Sequence, residues 1–166
     1  MRISKNYKDS GTHIPTLMKA LPLTEGDVCE MGVGFNSTPI LHWLCQGRNL
    51  VSYESDKDYF RFARQFQTWT HKIKHTPNWD RVDFDRHWAV VFIDHSNRPR
   101  RRGDDAVKFK NVDLMVLHDT EPGELEHYGY QQVFDKYKYH YTWDKCKPWT
   151  SVVSNTIDVT KWNHAD

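Results

Sequence analysis

Short apolar runs alternate with helical periodicities along almost the whole chain, a pattern that confines it to a parallel sheet covered by helices on both faces. The first helical stripe carries Ile14, Leu17, Met18 and Leu21 at i, i+3, i+4 and i+7, with Pro15 near its start. Asp27 to Met31 reads as the first strand. Ser37-Thr38-Pro39 then supplies a helix start, followed by Ile40, Trp43, Leu44 and a stop at Gly47. Leu50 to Glu54 is the second strand, followed by a helix from Lys57 to Gln67 with Tyr59, Phe62, Ala63 and Phe66 on one face. His71 to Thr76 makes a third strand and Trp88 to Ile93 a fourth. A basic loop and a short helix from Asp104 to Lys110 lead to the fifth, Val112 to Leu117. The tail differs: a helix from Glu124 to Phe134 precedes Tyr137, Tyr139, Tyr141 and Trp143 at the two-residue period of a strand. Lys145 to Pro148 makes a turn, and Ser151 to Val159 returns. The expected fold is α/β: a mostly parallel sheet with a C-terminal antiparallel strand pair and helices on both faces, in a single domain spanning residues 1–166.

Composition narrows what such a domain can do. The chain has 166 residues, room for one core, and its aromatic share of 14% includes seven Trp that supply apolar area the aliphatic residues do not. The formal charge of +1 gives no global field for nucleic acid, so nucleic acid is not an expected partner and anions must be held by a local patch. Cys29, Cys45 and Cys146 are scattered and odd in number, which suits reduced thiols. Met1 to Asn6 leads into no apolar leader, and no stretch approaches membrane-spanning length, so a cytoplasmic protein without a membrane partner is expected.

The most informative segment is the turn after the first strand, Glu30-Met31-Gly32-Val33-Gly34-Phe35-Asn36. Glycines there let the chain turn sharply and let a ligand approach backbone N–H groups without meeting a Cβ. A dinucleotide fingerprint would place a third glycine at position 37, where this chain has Ser37. An acid two residues before the first glycine instead resembles the Glu/Asp-x-Gly-x-Gly motif of class I (Rossmann-like) S-adenosylmethionine-dependent methyltransferases. Asn36 stands where that family often has a further glycine. The resemblance implies S-adenosylmethionine as cofactor, with Glu30, Gly32, Gly34 and Asn36 around its methionine part. Glu54, closing the second strand twenty residues after Gly34, is placed to accept from both ribose hydroxyls. Asn78-Trp79-Asp80 lies where the family contacts adenine, which implies that Trp79 packs on the ring and Asp80 accepts from its amine.

Chemistry is expected at the ends of the fourth and fifth strands, Asp94-His95-Ser96 and His118-Asp119-Thr120, because ligands of open α/β sheets bind at those carboxyl ends. Two carboxylates facing one crevice repel unless a cation or a proton intervenes. The arrangement is similar to metal-dependent O-methyltransferases of the catechol and macrocin types. That likeness implies magnesium or manganese held by Asp94, Asp119 and Thr120, where the family has Asn at the last position. Metal-bound, a substrate hydroxyl would lose its proton more readily. His95 and His118 are alternative bases or ligands, or simply half-buried rings. Position 97 carries Asn where the catechol type has its Lys base. Asp94-His95-Ser96-Asn97 also lacks the Asn/Asp-Pro-Pro-Tyr/Phe motif of amino-group methyltransferases.

Arg98-Pro99-Arg100-Arg101-Arg102-Gly103 sits at the mouth of the expected crevice, where it either selects an anionic substrate or faces Asp104 and Asp105 as a solvated loop. The reading is O-methylation of a small molecule, with Asp94, His95, His118 and Asp119 as the catalytic candidates. The alternatives are a S-adenosylmethionine-binding protein without transfer activity and a metal-using nucleotide hydrolase. With no lid insertion in so short a chain, either the substrate is small or a homo-oligomer completes the pocket.

Overall fold

A computed structural model describes residues 11–162; the opening segment read for a leader lies outside them. Seven strands form one sheet: β1 (Val28–Met31), β2 (Leu50–Glu54), β3 (His71–His75), β4 (His87–Ile93), β5 (Asn111–His118), β6 (Tyr139–Trp143) and β7 (Thr150–Ser154). Their order is β3-β2-β1-β4-β5-β7-β6, with β1 to β5 parallel and β7 antiparallel to both neighbours, as the sequence leads one to expect. The chain reverses direction across the sheet between β1 and β4, so a crevice opens at the carboxyl ends of these two strands.

Strand alternation supplies both faces of the core. Met31, Val91, Ile93, Met115 and Leu117 enter one cluster with Trp79, Phe109 and Tyr130, while Val28, Phe92, Leu114 and Val116 enter the other with Leu17, Ala20 and Leu41. Helices α1 (Ile14–Ala20), α2 (Ser37–Leu44), α3 (Lys57–Ala63), α4 (Arg102–Ala106), α5 (Leu125–Tyr128) and α6 (Gln131–Lys136) flank the sheet. No helix among the described residues is long and apolar enough to cross a membrane.

Several elements depart from their expected extents. In α2 the buried residues are Ser37, Thr38 and Leu41, whereas Trp43 and Leu44 face solvent. The helix is rotated because the Thr38 hydroxyl bonds the buried Glu30, which turns the 38–41–45 row toward the sheet. Met18 is likewise exposed. The long helix expected from Glu124 is two short ones, parted where Gly129 takes a φ of +70° and caps α5. The helix after the basic loop begins two residues early, at Arg102, and ends at Ala106. The returning strand ends at Ser154, whose hydroxyl accepts from the backbone N–H of Thr156 and Ile157 and so turns the chain away.

Candidate functional site

The glycine turn is stitched between two strands. Gly32 N–H donates to the Tyr53 carbonyl at 2.9 Å, and Asp94 N–H donates to the Met31 carbonyl at 2.8 Å. Gly32 has a φ of +93°, and a Cβ there would lie 2.4 Å from the Asp94 carbonyl oxygen. Its glycine is thus required by the close passage of β4's end, a reason the ligand-approach argument does not contain.

Glu30 is fully buried and lies behind the turn, not in it. It accepts from the Thr38 hydroxyl at 2.9 Å, and Thr38 Oγ1 accepts from Gly34 N–H at 3.1 Å, so the acid shapes the turn through α2. Burial pushes its carboxyl up to about 7 against the opposing pull of the hydroxyls around it. A carboxyl whose folded value is raised destabilises the fold as it ionises, so its penalty grows as pH rises from the unfolded value to the folded one. Relative to Glu30→Gln, the wild type is expected to lose on the order of 2 kcal/mol between about pH 5 and about pH 8. Denaturant titrations of both proteins across that range measure it.

Glu54 ends β2 as expected, with its carboxylate already engaged. Oε1 accepts from Ser55 and Asp56 N–H at 2.7 Å each, and Oε2 from Val33 N–H at 2.7 Å. Oε2 keeps a lone pair for one further donor. Burial raises this carboxyl despite those three bonds. Glu54, Val33, Gly34, Asn36, Asp94 and Ser96 line a cleft of about 370 Å³, along with Phe35 and Tyr59, whose rings sit 5.1 Å apart, and His13.

At the strand ends, the cation between the two carboxylates comes from the basic loop. Arg102 is buried, its Nη2 lies 3.0 Å from Asp94 Oδ1, and its Nη1 lies 2.7 Å from Asp119 Oδ2. Nε donates to the His95 carbonyl at 2.6 Å and Nη1 to that of His118 at 3.3 Å, so one guanidinium ties the ends of β4 and β5 together. Arg100 pairs with Asp80 and Asp105, and Arg101 with Asp104. The basic loop is therefore largely consumed within the chain. Thr120 is buried, and its hydroxyl accepts from Ser151 at 2.8 Å. Asp94, Asp119 and Thr120 do not fit an oxygen-ligated magnesium or manganese ion: the place between the acids is taken by Arg102, and the threonine oxygen is engaged elsewhere.

The structure brings His118 to Asp94 and leaves His95 apart. His118 Nδ1 stands 3.2 Å from Asp94 Oδ1 and 3.5 Å from Asp119 Oδ1. Burial would lower the imidazole, but Asp94 and Asp119 outweigh it and the ring is raised above its ordinary value. Burial would also raise Asp94; His118 and Arg102 hold it well below the carboxylate range. His95 is buried against Trp79, ring centroids 4.4 Å apart, with its Nδ1 2.7 Å from the Ser96 carbonyl. Trp79 is fully buried and Asp80 is bound to Arg100, and neither lines the cleft.

His13, just ahead of α1, also reaches the cleft, with no local motif to mark it. It is 2% exposed, packs 4.9 Å from the His118 ring, and neither ring nitrogen has a hydrogen-bond partner. Burial and the neighbouring His118 push it down to about 4, so it is a neutral imidazole. No signal in the chain links positions 13, 94 and 118, which only the fold brings together.

No protein-family profile and no curated protein matches this sequence. Solved structures do match its shape. The METTL16 methyltransferase domain superimposes with a TM-score of 0.66 at 11% identity, over 94% of this chain and 71% of that one. The N-methyltransferase NodS from Bradyrhizobium japonicum gives 0.62 at 10%, over 93% and 100%. A Staphylococcus aureus protein assigned provisionally as a caffeoyl-CoA O-methyltransferase gives 0.66 at 9%, over 92% and 85%. The fold is the class I methyltransferase fold. Within it, the cleft between the glycine turn and Glu54 occupies the switch point at which ligands of doubly wound sheets bind. Human METTL16 has been solved with S-adenosylhomocysteine (SAH), and its catalytic domain with hairpin 6 of the MAT2A 3′ untranslated region.

Proposed function

We propose that the protein is a S-adenosylmethionine-dependent methyltransferase acting on an oxygen of a small molecule. The observation that carries this reading is the cleft itself: a glycine turn on one wall and a strand-end carboxylate on the other, in a methyltransferase fold. When bound, the cofactor supplies an electrophilic methyl group on a sulfonium centre. Glu54 Oε2 would take one ribose hydroxyl, Phe35 and Tyr59 would offer ring faces to the base, and Gly34, Asn36 and Ser96 would hold the methionine part. Asp94, kept ionised, orients the acceptor's O–H, with Asp119 and Arg102 fixing its rotamer. The neutral His13 accepts a proton only from an acidic hydroxyl. His118 acts through Asp94 and not on the acceptor: both its nitrogens are engaged.

Calorimetry with S-adenosylmethionine, its demethylated product and NAD tests the reading. Binding of the first two and not the third is expected, weakened about tenfold in Glu54→Gln by loss of a charge-assisted bond. Absence of binding at millimolar cofactor overturns it. An acceptor panel that includes RNA hairpins, given the METTL16 complex, separates transfer from binding by release of the demethylated product.

A further inference from the structure

We propose that His13, Asp94 and His118 form a binding site for a divalent first-row transition metal of the zinc, iron(II) or cobalt(II) kind. One ligand atom from each lies within 4.8 Å of the others, and His13 and Asp94 line the cleft. The 3.2 Å from His118 Nδ1 to Asp94 Oδ1 matches the edge of a tetrahedron with bonds of about 2.0 Å, which is roughly 3.3 Å.

Proton bookkeeping supports the same place. The Thr12 hydroxyl gives its one hydrogen to the Pro148 carbonyl at 2.7 Å, so its oxygen can only accept from His118 Nε2, 3.0 Å away. Nε2 therefore carries a hydrogen. Nδ1 then faces the Asp94 carboxylate either with a second proton or with a metal ion, because a bare lone pair there would oppose a negative oxygen. The Nε2–Thr12–Pro148 chain is also the outer bonding that fixes the tautomer of a metal-ligating imidazole.

His13 supplies the independent observation. A buried imidazole with neither nitrogen bonded forfeits its hydrogen bonds with water for no visible return. A metal bond to one nitrogen supplies that return. Charge is compatible: Asp94, Asp119 and Arg102 sum to −1 with His118 neutral, so a dication meets a net negative cluster. Two imidazoles and one carboxylate select nitrogen-loving metals over magnesium or calcium. This ligand set differs from the Asp94, Asp119 and Thr120 set that the sequence implies.

Binding exchanges the metal for the His118 Nδ1 proton, so about one proton is released per ion at a pH where the ring is charged. The site is read without reference to the cofactor, so its failure and that of the methyltransferase reading are separate results. The test titrates the purified full chain with Co(II) and Zn(II), following the visible Co(II) spectrum and calorimetry in two buffers of different ionisation heat. Expected are one ion per chain, a low-coordinate Co(II) band, proton release, and at least a tenfold loss of affinity in His13→Ala with its melting temperature kept. His118→Gln provides a second ligand deletion if His13→Ala fails to fold. Absent binding, or binding unchanged in a folded ligand variant, overturns the proposal.

Discussion

Arg102→Met is expected to destabilise the protein by about 3–5 kcal/mol, the usual cost of leaving buried charge without its partner. For a chain of this length that is a fall in melting temperature of roughly 10 °C. The side chain is 8% exposed and the acids it separates are 21% and 18% exposed, so water screens little of the repulsion it relieves. Methionine nearly fills the volume but takes the guanidinium from Asp94 and Asp119, leaving them only the His118 ring; the His95 carbonyl loses its donor and the His118 carbonyl keeps only the Tyr130 hydroxyl. The pH profile separates charge from packing. In the variant Asp94 loses the guanidinium that holds its carboxyl down, so the deficit is fully present above that group's folded value and shrinks as pH falls toward about 4. A packing defect would not recover on acidification. Arg102→Lys is expected to restore only part of the loss, because one ammonium cannot reach two carboxylates and two carbonyls at once. Thermal melts of the three proteins between about pH 4 and about pH 8 measure all of this.

Gly32→Ala is the second large effect, expected at roughly 4 kcal/mol. Holding a non-glycine residue at φ +93° costs about 1–3 kcal/mol, and forcing a methyl against packed atoms costs a similar amount. The atoms it meets are the Asp94 carbonyl and the His95 nitrogen, both backbone, so neither can swing aside. The turn or the end of β4 must move, and cofactor affinity falls with it. Gly34→Ala makes the contrast. Its Cβ would meet the Ser37 hydroxyl at 2.8 Å, the end of a side chain that can rotate, so a loss of only about 1 kcal/mol is expected. Equal losses in the two variants, read from chemical denaturation, would contradict the assignment of Gly32 to the β1–β4 approach.

The legible part of the fold was the part written in local pattern. The apolar runs of β4 and β5, the alternation of Tyr139, Tyr141 and Trp143, and the Gly-x-Gly turn each specify an element without knowledge of what packs against it. Helix phase was less legible: Trp43 and Leu44 are apolar residues of α2, yet both are exposed, because the Glu30–Thr38 bond sets the rotation of the helix. The site follows the same division. Glu54 and Asp94 reach the cleft because their places at strand ends fix their direction. The need for a cation between Asp94 and Asp119 was a matter of Coulomb's law and could be stated in advance. That the cation is Arg102 depends on a tertiary fold-back of the loop and could not. Trp79 and Asp80 follow β3 at the expected distance along the chain, yet Trp79's φ of +62° and its packing on His95 turn the ring into the core. His13 had no local signal at all.

Thr12 and His13 come before the first helix, yet His13 lines the cleft and Thr12 reaches across to Pro148 in the β6–β7 turn and to His118 at the end of β5. These two residues thus serve the cleft as well as the start of α1. Trimming the chain to begin at residue 14 would remove no strand residue and still strip the cleft of His13. Protein made that way would give a convincing circular dichroism spectrum and a misleading assay.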